Sequence, residues 1–203
     1  MIRIHHAPFT RSLRVILLCE ELGLPYEIVK HDFMAREHKG APYLAINPFG
    51  RLPAIEDGAV VMFESGAIVQ YLLETYGKSR LQPALGSPDR PAFLQWFHFA
   101  EATAMGSVSD FIQHSFVKPE AERIPAVVAD AARRMQEWLG VLDHHLAGRT
   151  WLVGDEFGAA DVMMAYSVNN TKFIGQLGDG HPNVSAWLDR VQARPSWART
   201  AAA

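Results

Sequence analysis

"NPFGRLPAIEDGAVVMFESGAIVQYL", residues 47–72, holds two short apolar runs on either side of Asp57-Gly58. Asp-Gly is a preferred two-residue hairpin loop, because both residues tolerate the positive φ that such a loop requires. LPAIED and VVMF therefore read as paired strands. From Ser65 the apolar spacing changes from two to three and four, which predicts a helix over Ser65–Tyr76 with Ser65 at its N-cap and Gly77 past its end. Two features exceed what a hairpin and a helix need. Leu52-Pro53 stands at the start of the first strand, and Glu64-Ser65 stands at the mouth of the helix. A helix N-terminus offers unpaired N–H groups and a partial positive charge, so a carboxylate fits there with the Ser65 hydroxyl as an added donor. With Glu64 taking an ammonium, the pair suits the head group of an α-amino acid.

Outward from this segment, the N-terminal side alternates strand and helix. MIRIHH (1–6) reads as a strand, Ser12–Leu22 as a helix closed by Gly23 and Pro25, and YEIVKHDF (26–33) as a second strand. A short helical segment, EHKGAPYLAI (37–46), precedes the hairpin. The order is βαβαββα. Beyond it, GKSRLQPALGSPDRP (77–91) is rich in Gly, Pro and Ser and lacks apolar periodicity, as a linker does. The rest is helical: Phe93, Trp96, Phe97, Ala100 and Ala104 recur at three and four, and 126–146, 159–174 and 184–191 repeat the pattern, punctuated by Pro182 and Pro195. The expected organisation is an α/β domain at 1–78, a linker at 79–90 and an all-α domain at 91–203.

Composition narrows the partners. The 203 residues are 49% hydrophobic and 20% charged, enough for a large core, and a net charge of −3 without a Lys/Arg block gives no footprint for nucleic acid or an anionic membrane. A small molecule or another protein is the expected partner. The single cysteine, Cys19, lies in an apolar helical run, so no internal disulfide or CxxC pair exists, which fits a reducing cytoplasm. No apolar run reaches the ~20 residues that span a bilayer, and the first residues enter a strand rather than a signal peptide. His5 and His6 read as strand residues, and no His, Cys and Asp spacing predicts a metal.

Together the order and the motifs resemble the cytosolic glutathione S-transferase family over nearly the whole chain. EHKGAPYLAINPFGRLPAIEDGAVVMFESGAIVQYL (37–72) is similar to the glutathione site of the phi class, and TRSLRVILLCEELGLPYE (10–27) resembles the opening of many bacterial members. The chain is therefore read as a bacterial member with a phi- or theta-like glutathione site. The resemblance implies a thioredoxin-like N-terminal domain that binds glutathione, a helical-bundle C-terminal domain that shapes an apolar co-substrate site, and a cytoplasmic homodimer.

The resemblance also assigns residues. Pro53 would be the family's cis proline, with Leu52 pairing its backbone with the cysteinyl unit of glutathione as a neighbouring strand would. Glu64 and Ser65 would take the γ-glutamyl head. His38 and Lys39 match the His-Lys pair near the glycyl carboxylate, with Arg51 a further contact. The thiolate is the nucleophile, so the site must stabilise a sulfur anion. Family members do this from the loop after the first strand, here HHAPFTRSLRV (5–15), where Thr10 and Ser12 are the only hydroxyls. Thr10, four residues before Arg14, takes the serine position of theta- and delta-like members. An ungapped phi-class comparison puts Phe9 there instead, and Arg11 is a third candidate by its charge. Phe9, Met105, Phe111 and Tyr166 are candidates to line the co-substrate site. In GAADVMMAY (158–166), Asp161 is read as a structural capping residue with Gly158 where a hydroxyl is usual.

The implied activity is conjugation of the glutathione thiolate to small, largely apolar electrophiles, a detoxification chemistry with glutathione as co-substrate. The same fold also serves isomerases, dehalogenases, peroxidases, and non-catalytic ligand-binding or interaction modules. The loop carrying Thr10 separates these readings, since a module needs Leu52, Glu64 and Ser65 but no thiol activator.

Overall fold

In the computed structural model, which describes residues 1–203, the chain forms two compact units, Met1–Leu81 with Ala193–Ala203, and Gln82–Gln192. In the first, β1 (Ile2–His6) is buried at every position but Arg3, and it lies between β2 (Tyr26–Lys30) and β3 (Ala54–Asp57). β4 (Val60–Phe63) completes the sheet in the order β2-β1-β3-β4. β1 runs parallel to β2, pairing Ile4 with Ile28, and antiparallel to β3, pairing Ile4 with Ile55. A parallel pair needs a crossover, and α1 (Ser12–Leu22) supplies it. Its continuous run Val15–Cys19 is buried throughout, each larger aliphatic side chain contributing ~1.5–3 kcal/mol of transfer free energy, and Gly23 ends it at φ 68°. α2 (Ala41–Leu44) is a single turn, and α3 (Ser65–Tyr76) buries Ile68, Val69, Leu72 and Leu73. The expected thioredoxin-like βαβαββα order is present.

Four details differ from the sequence reading. β2 stops at Lys30, because Asp32 and Glu37 exchange local bonds instead of continuing the ladder: the Asp32 N–H donates to Glu37 and the Ala35 N–H to Asp32. Asp57 pairs with Val60, so the loop is Gly58-Ala59, with Gly58 at φ 60°. Ser65 is the first residue of α3 rather than its cap, and Glu64 holds the cap position. The last helix does not belong with the helical domain expected at 91–203. α9 (Pro195–Ala201) packs on α1 in the first unit. Arg194 grips the largely buried Glu21 with two bonds of 2.7 Å, Ser196 donates to the same carboxylate, and Arg199 pairs with Glu20. Burial of Glu21 opposes its charge, but these bonds and the two guanidiniums outweigh it and hold the carboxyl below its ordinary value.

The second unit is helical. α4 (Arg90–Phe99) passes through a π-helical turn, Ala100–Ala104, into α5 (Met105–Ile112), and a second such turn, Gln113–Val117, follows. The Ser167 hydroxyl donates to the Ala100 carbonyl at 2.9 Å, satisfying an acceptor at the first turn. α6 (Pro125–Leu146) buries one stripe, Ala131, Met135, Trp138, Leu139, Leu142 and Leu146. α7 (Ala159–Phe173) is buried except at Asn169, Lys172 and Phe173, so it is the central helix. Asp161 in its first turn accepts from Gly158 N–H, Leu152 N–H and the indole of Trp187, at 3.0, 3.0 and 2.8 Å. That is a structural role, and it ties α7 to α8 (Pro182–Gln192). No helix is long and apolar enough to cross a membrane.

Candidate functional site

The turn before β3 is built to hold its backbone in one shape. Asn47, almost fully buried, donates from its amide to the Arg51 carbonyl at 2.6 Å and accepts from the Phe49 N–H at 3.1 Å. Tyr43 donates its phenol to the same carbonyl at 2.6 Å, and Lys39 donates to the Phe49 carbonyl at 2.9 Å. Gly50 sits at φ 55°, where an added Cβ would lie 2.6 Å from the His38 carbonyl. The turn and the His38-Lys39 segment are therefore in direct contact. The Leu52-Pro53 bond is cis, as expected. Leu52 packs with Ala7, Tyr43 and Ala54, and no hydrogen bond within the chain takes up its N–H or C=O. Arg51 is exposed.

His38 is 6% exposed, stacked face to face on Phe33 at 4.4 Å, and its Nδ1 has no partner. Burial first, then the charges of Lys39 and Arg36, lower its pKa and favour the neutral ring. A buried nitrogen without a partner is a polar group still short of a hydrogen bond.

At the mouth of α3, Glu64 is exposed with φ 74° and ψ 106°, outside the regions common to non-glycine residues. Ser65 is buried, and its oxygen accepts from Arg14 Nη1 at 3.1 Å. Because the guanidinium can only donate, the Ser65 hydrogen remains available to an anion. Arg14, fully buried in α1, served the sequence reading only as a reference for placing Thr10 and was given no role. Its signal was an arginine inside an otherwise apolar run, SLRVILLC.

The loop after β1 separates the candidate thiol activators. Ser12 is 0% exposed, so it is not placed to touch a ligand directly. It bonds His6 Nδ1 at 2.7 Å and Thr10 Oγ1 at 2.6 Å. Thr10 is half-buried and donates to the Ala7 carbonyl at 2.8 Å. Ala7 packs in the cluster that contains Leu52, which links this loop to the turn before β3. Phe9 takes φ 62° and is 66% exposed, so it offers an apolar surface and no hydroxyl. Arg11 occupies the cap position of α1. In the second unit Met105, Phe111 and Tyr166 are 3, 9 and 7% exposed, and as placed they are buried side chains.

A four-stranded thioredoxin-like sheet in a chain that continues as an all-helical unit is the architecture that the resemblance to glutathione S-transferases implied. Family comparison agrees. The family described as "Glutathione S-transferase, N-terminal domain" matches residues 2–74, and "Glutathione S-transferase, C-terminal domain" matches residues 105–195. A glutathione S-transferase of Hyoscyamus muticus is 33% identical, covering 92% of this chain and 91% of that protein. Glutathione S-transferase GstB of Escherichia coli K12 is 31% identical over 92% of this chain and 90% of its own. Among solved structures, the glutathione transferase URE2P6 from Phanerochaete chrysosporium, in complex with oxidized glutathione, superposes with a TM-score of 0.87 at 28% identity, covering 98% of this chain and 94% of that one. The chain belongs to the glutathione S-transferase family.

Proposed function

We propose that this glutathione transferase binds glutathione along the first unit and adds its thiolate to small, largely apolar electrophiles. The observation that carries the reading is the set of unused polar groups on one unit: the backbone of Leu52, the Ser65 hydrogen at the start of α3 and the orphaned Nδ1 of His38. Each matches one part of an extended tripeptide. Leu52 pairs with the cysteinyl backbone, Glu64 and Ser65 take the γ-glutamyl ammonium and carboxylate, and His38 with Lys39 takes the glycyl carboxylate, with Arg51 adding positive charge. Thr10, the half-buried hydroxyl of its loop, donates to the sulfur anion, while the fully buried Ser12 acts behind it. Phe9 contributes apolar surface to the electrophile. Two copies form a homodimer in a reducing cytoplasm, for which the measurement is the mass in solution at micromolar concentration; a single-chain mass overturns it.

Calorimetric titration with glutathione, followed by turnover of a chlorinated aromatic, tests the main reading. Binding with turnover is expected. Binding without turnover would leave a ligand-binding module, and no binding would overturn the site.

A further inference from the structure

The hydroxyl chain in the loop after β1 has only one consistent arrangement of hydrogens. A carbonyl oxygen can only accept, so Thr10 donates its single hydrogen to the Ala7 carbonyl, 2.8 Å away. Ser12 must then donate to Thr10 across their 2.6 Å contact. With the Ser12 hydrogen committed, the 2.7 Å contact to His6 requires that His6 Nδ1 carry a proton and donate to Ser12. His6 thus starts a one-way chain of donors that ends at the half-buried hydroxyl of Thr10.

We infer that His6 is a positioning residue for the transferase reaction: through Ser12 it holds and polarises the Thr10 hydroxyl, so that Thr10 is a stronger donor to the glutathione sulfur anion. This rests on the assignment of Thr10 as the thiol's hydrogen-bond donor. On binding, the Thr10 hydrogen turns from the Ala7 carbonyl to sulfur. The carbonyl is not orphaned, because it also accepts the Thr10 backbone N–H at 3.3 Å. His6 and Ser12 keep donating in the same direction, and successive bonds of one sense strengthen the last. In the ionisation the S–H bond breaks, its electron pair stays on sulfur and the proton leaves to water. His6 is not the base for that proton. Burial, then the charge of Lys30, lowers its pKa to about 4, well below a thiol's.

The test is a titration of the bound glutathione thiol by thiolate absorbance in a set of variants. His6→Phe keeps the ring shape and removes the donor. It is expected to raise the bound thiol's pKa by roughly half a unit to one unit, a three- to tenfold loss of thiolate below both values, with glutathione affinity changed less than twofold. His6→Asn puts an amide N–H the same number of bonds from the backbone as Nδ1, and is expected to restore most of the shift. If His6→Phe does not fold, Ser12→Ala cuts the same link and should give the same rise. In a Thr10→Val background, His6→Phe should add nothing. An unshifted pKa in both His6→Phe and Ser12→Ala, with Thr10→Val shifted, overturns the role of His6 alone. An unshifted pKa in Thr10→Val overturns the Thr10 assignment beneath it. A long-range nitrogen–proton correlation spectrum showing Nδ1 of His6 without a proton would also overturn the chain.

Discussion

Ser65, proposed to receive the γ-glutamyl carboxylate, is already bonded within the chain. Its oxygen holds a buried guanidinium, so Ser65→Ala removes an acceptor from Arg14 as well as a donor from the ligand. The stability loss is expected at about 1–2 kcal/mol, from the charged hydrogen bond rather than from a helix cap, and glutathione affinity should fall at the same time. Calorimetric melting with a binding titration separates the two effects; unchanged affinity would leave Ser65 only its internal role. Thr10→Val is the second prediction at this scale. The bound thiol's pKa should rise, each unit corresponding to ~1.4 kcal/mol of lost thiolate stabilisation, and turnover near neutral pH should fall and partly recover in base. Candidate charges and hydroxyls could be named from the sequence because their chemistry is fixed by residue type. The roles of Arg14 and His6 could not, because a buried arginine in a helix and a histidine in a strand acquire their meaning only from Ser65 and Ser12, one of them fifty-one positions away.

Among elements, the turn at 47–53 invites a comparison of two glycines. Gly50 and Gly58 both take positive φ, at 55° and 60°, but a Cβ on Gly50 would strike the His38 carbonyl at 2.6 Å, whereas at Gly58 nothing lies within 4 Å. Gly58→Ala should therefore cost only the conformational penalty, ~1–2 kcal/mol. Gly50→Ala should cost distinctly more, and it should weaken glutathione binding by displacing the His38-Lys39 segment. Thermal melts of the two variants provide the check, and equal losses would mean that the close approach has no energetic weight. The change of apolar spacing and the turn chemistry predicted the strands and long helices well, since the three-four spacing in α3 and α6 reflects burial directly. They failed where local polar bonds compete with the ladder, as Asp32 and Glu37 do after β2. They also missed the two π-helical turns beside α5; at the first, the spacing of four from Ala100 to Ala104 fits an ordinary helix as well.

For the whole molecule, the placement of α9 was the least legible feature, since nothing local in "RPSWART" says that its partners are Glu20 and Glu21. Arg194→Ala would leave the Glu21 carboxylate largely buried with fewer donors, at an expected cost of ~2–3 kcal/mol. The same contact predicts acid sensitivity. The folded-state pKa of Glu21 lies below its unfolded value, so the stabilisation is fully present above the unfolded value of 4.5 and is lost as pH falls through the folded one. Melts between neutral and acid pH should show this loss in the wild type and a shallower dependence in Arg194→Ala; parallel curves would exclude the pair. A further consequence lies in biosynthesis. Ala193–Ala203 completes a unit whose other residues leave the ribosome much earlier, separated by all of Gln82–Gln192. At ~5–20 residues per second this interval is on the order of ten seconds, during which α1 carries two carboxylates without their arginines. A released chain truncated to residues 1–192 should therefore be cut by protease within 1–81 and resist within 82–192, whereas the chain carrying Ala193–Ala203 should resist in both.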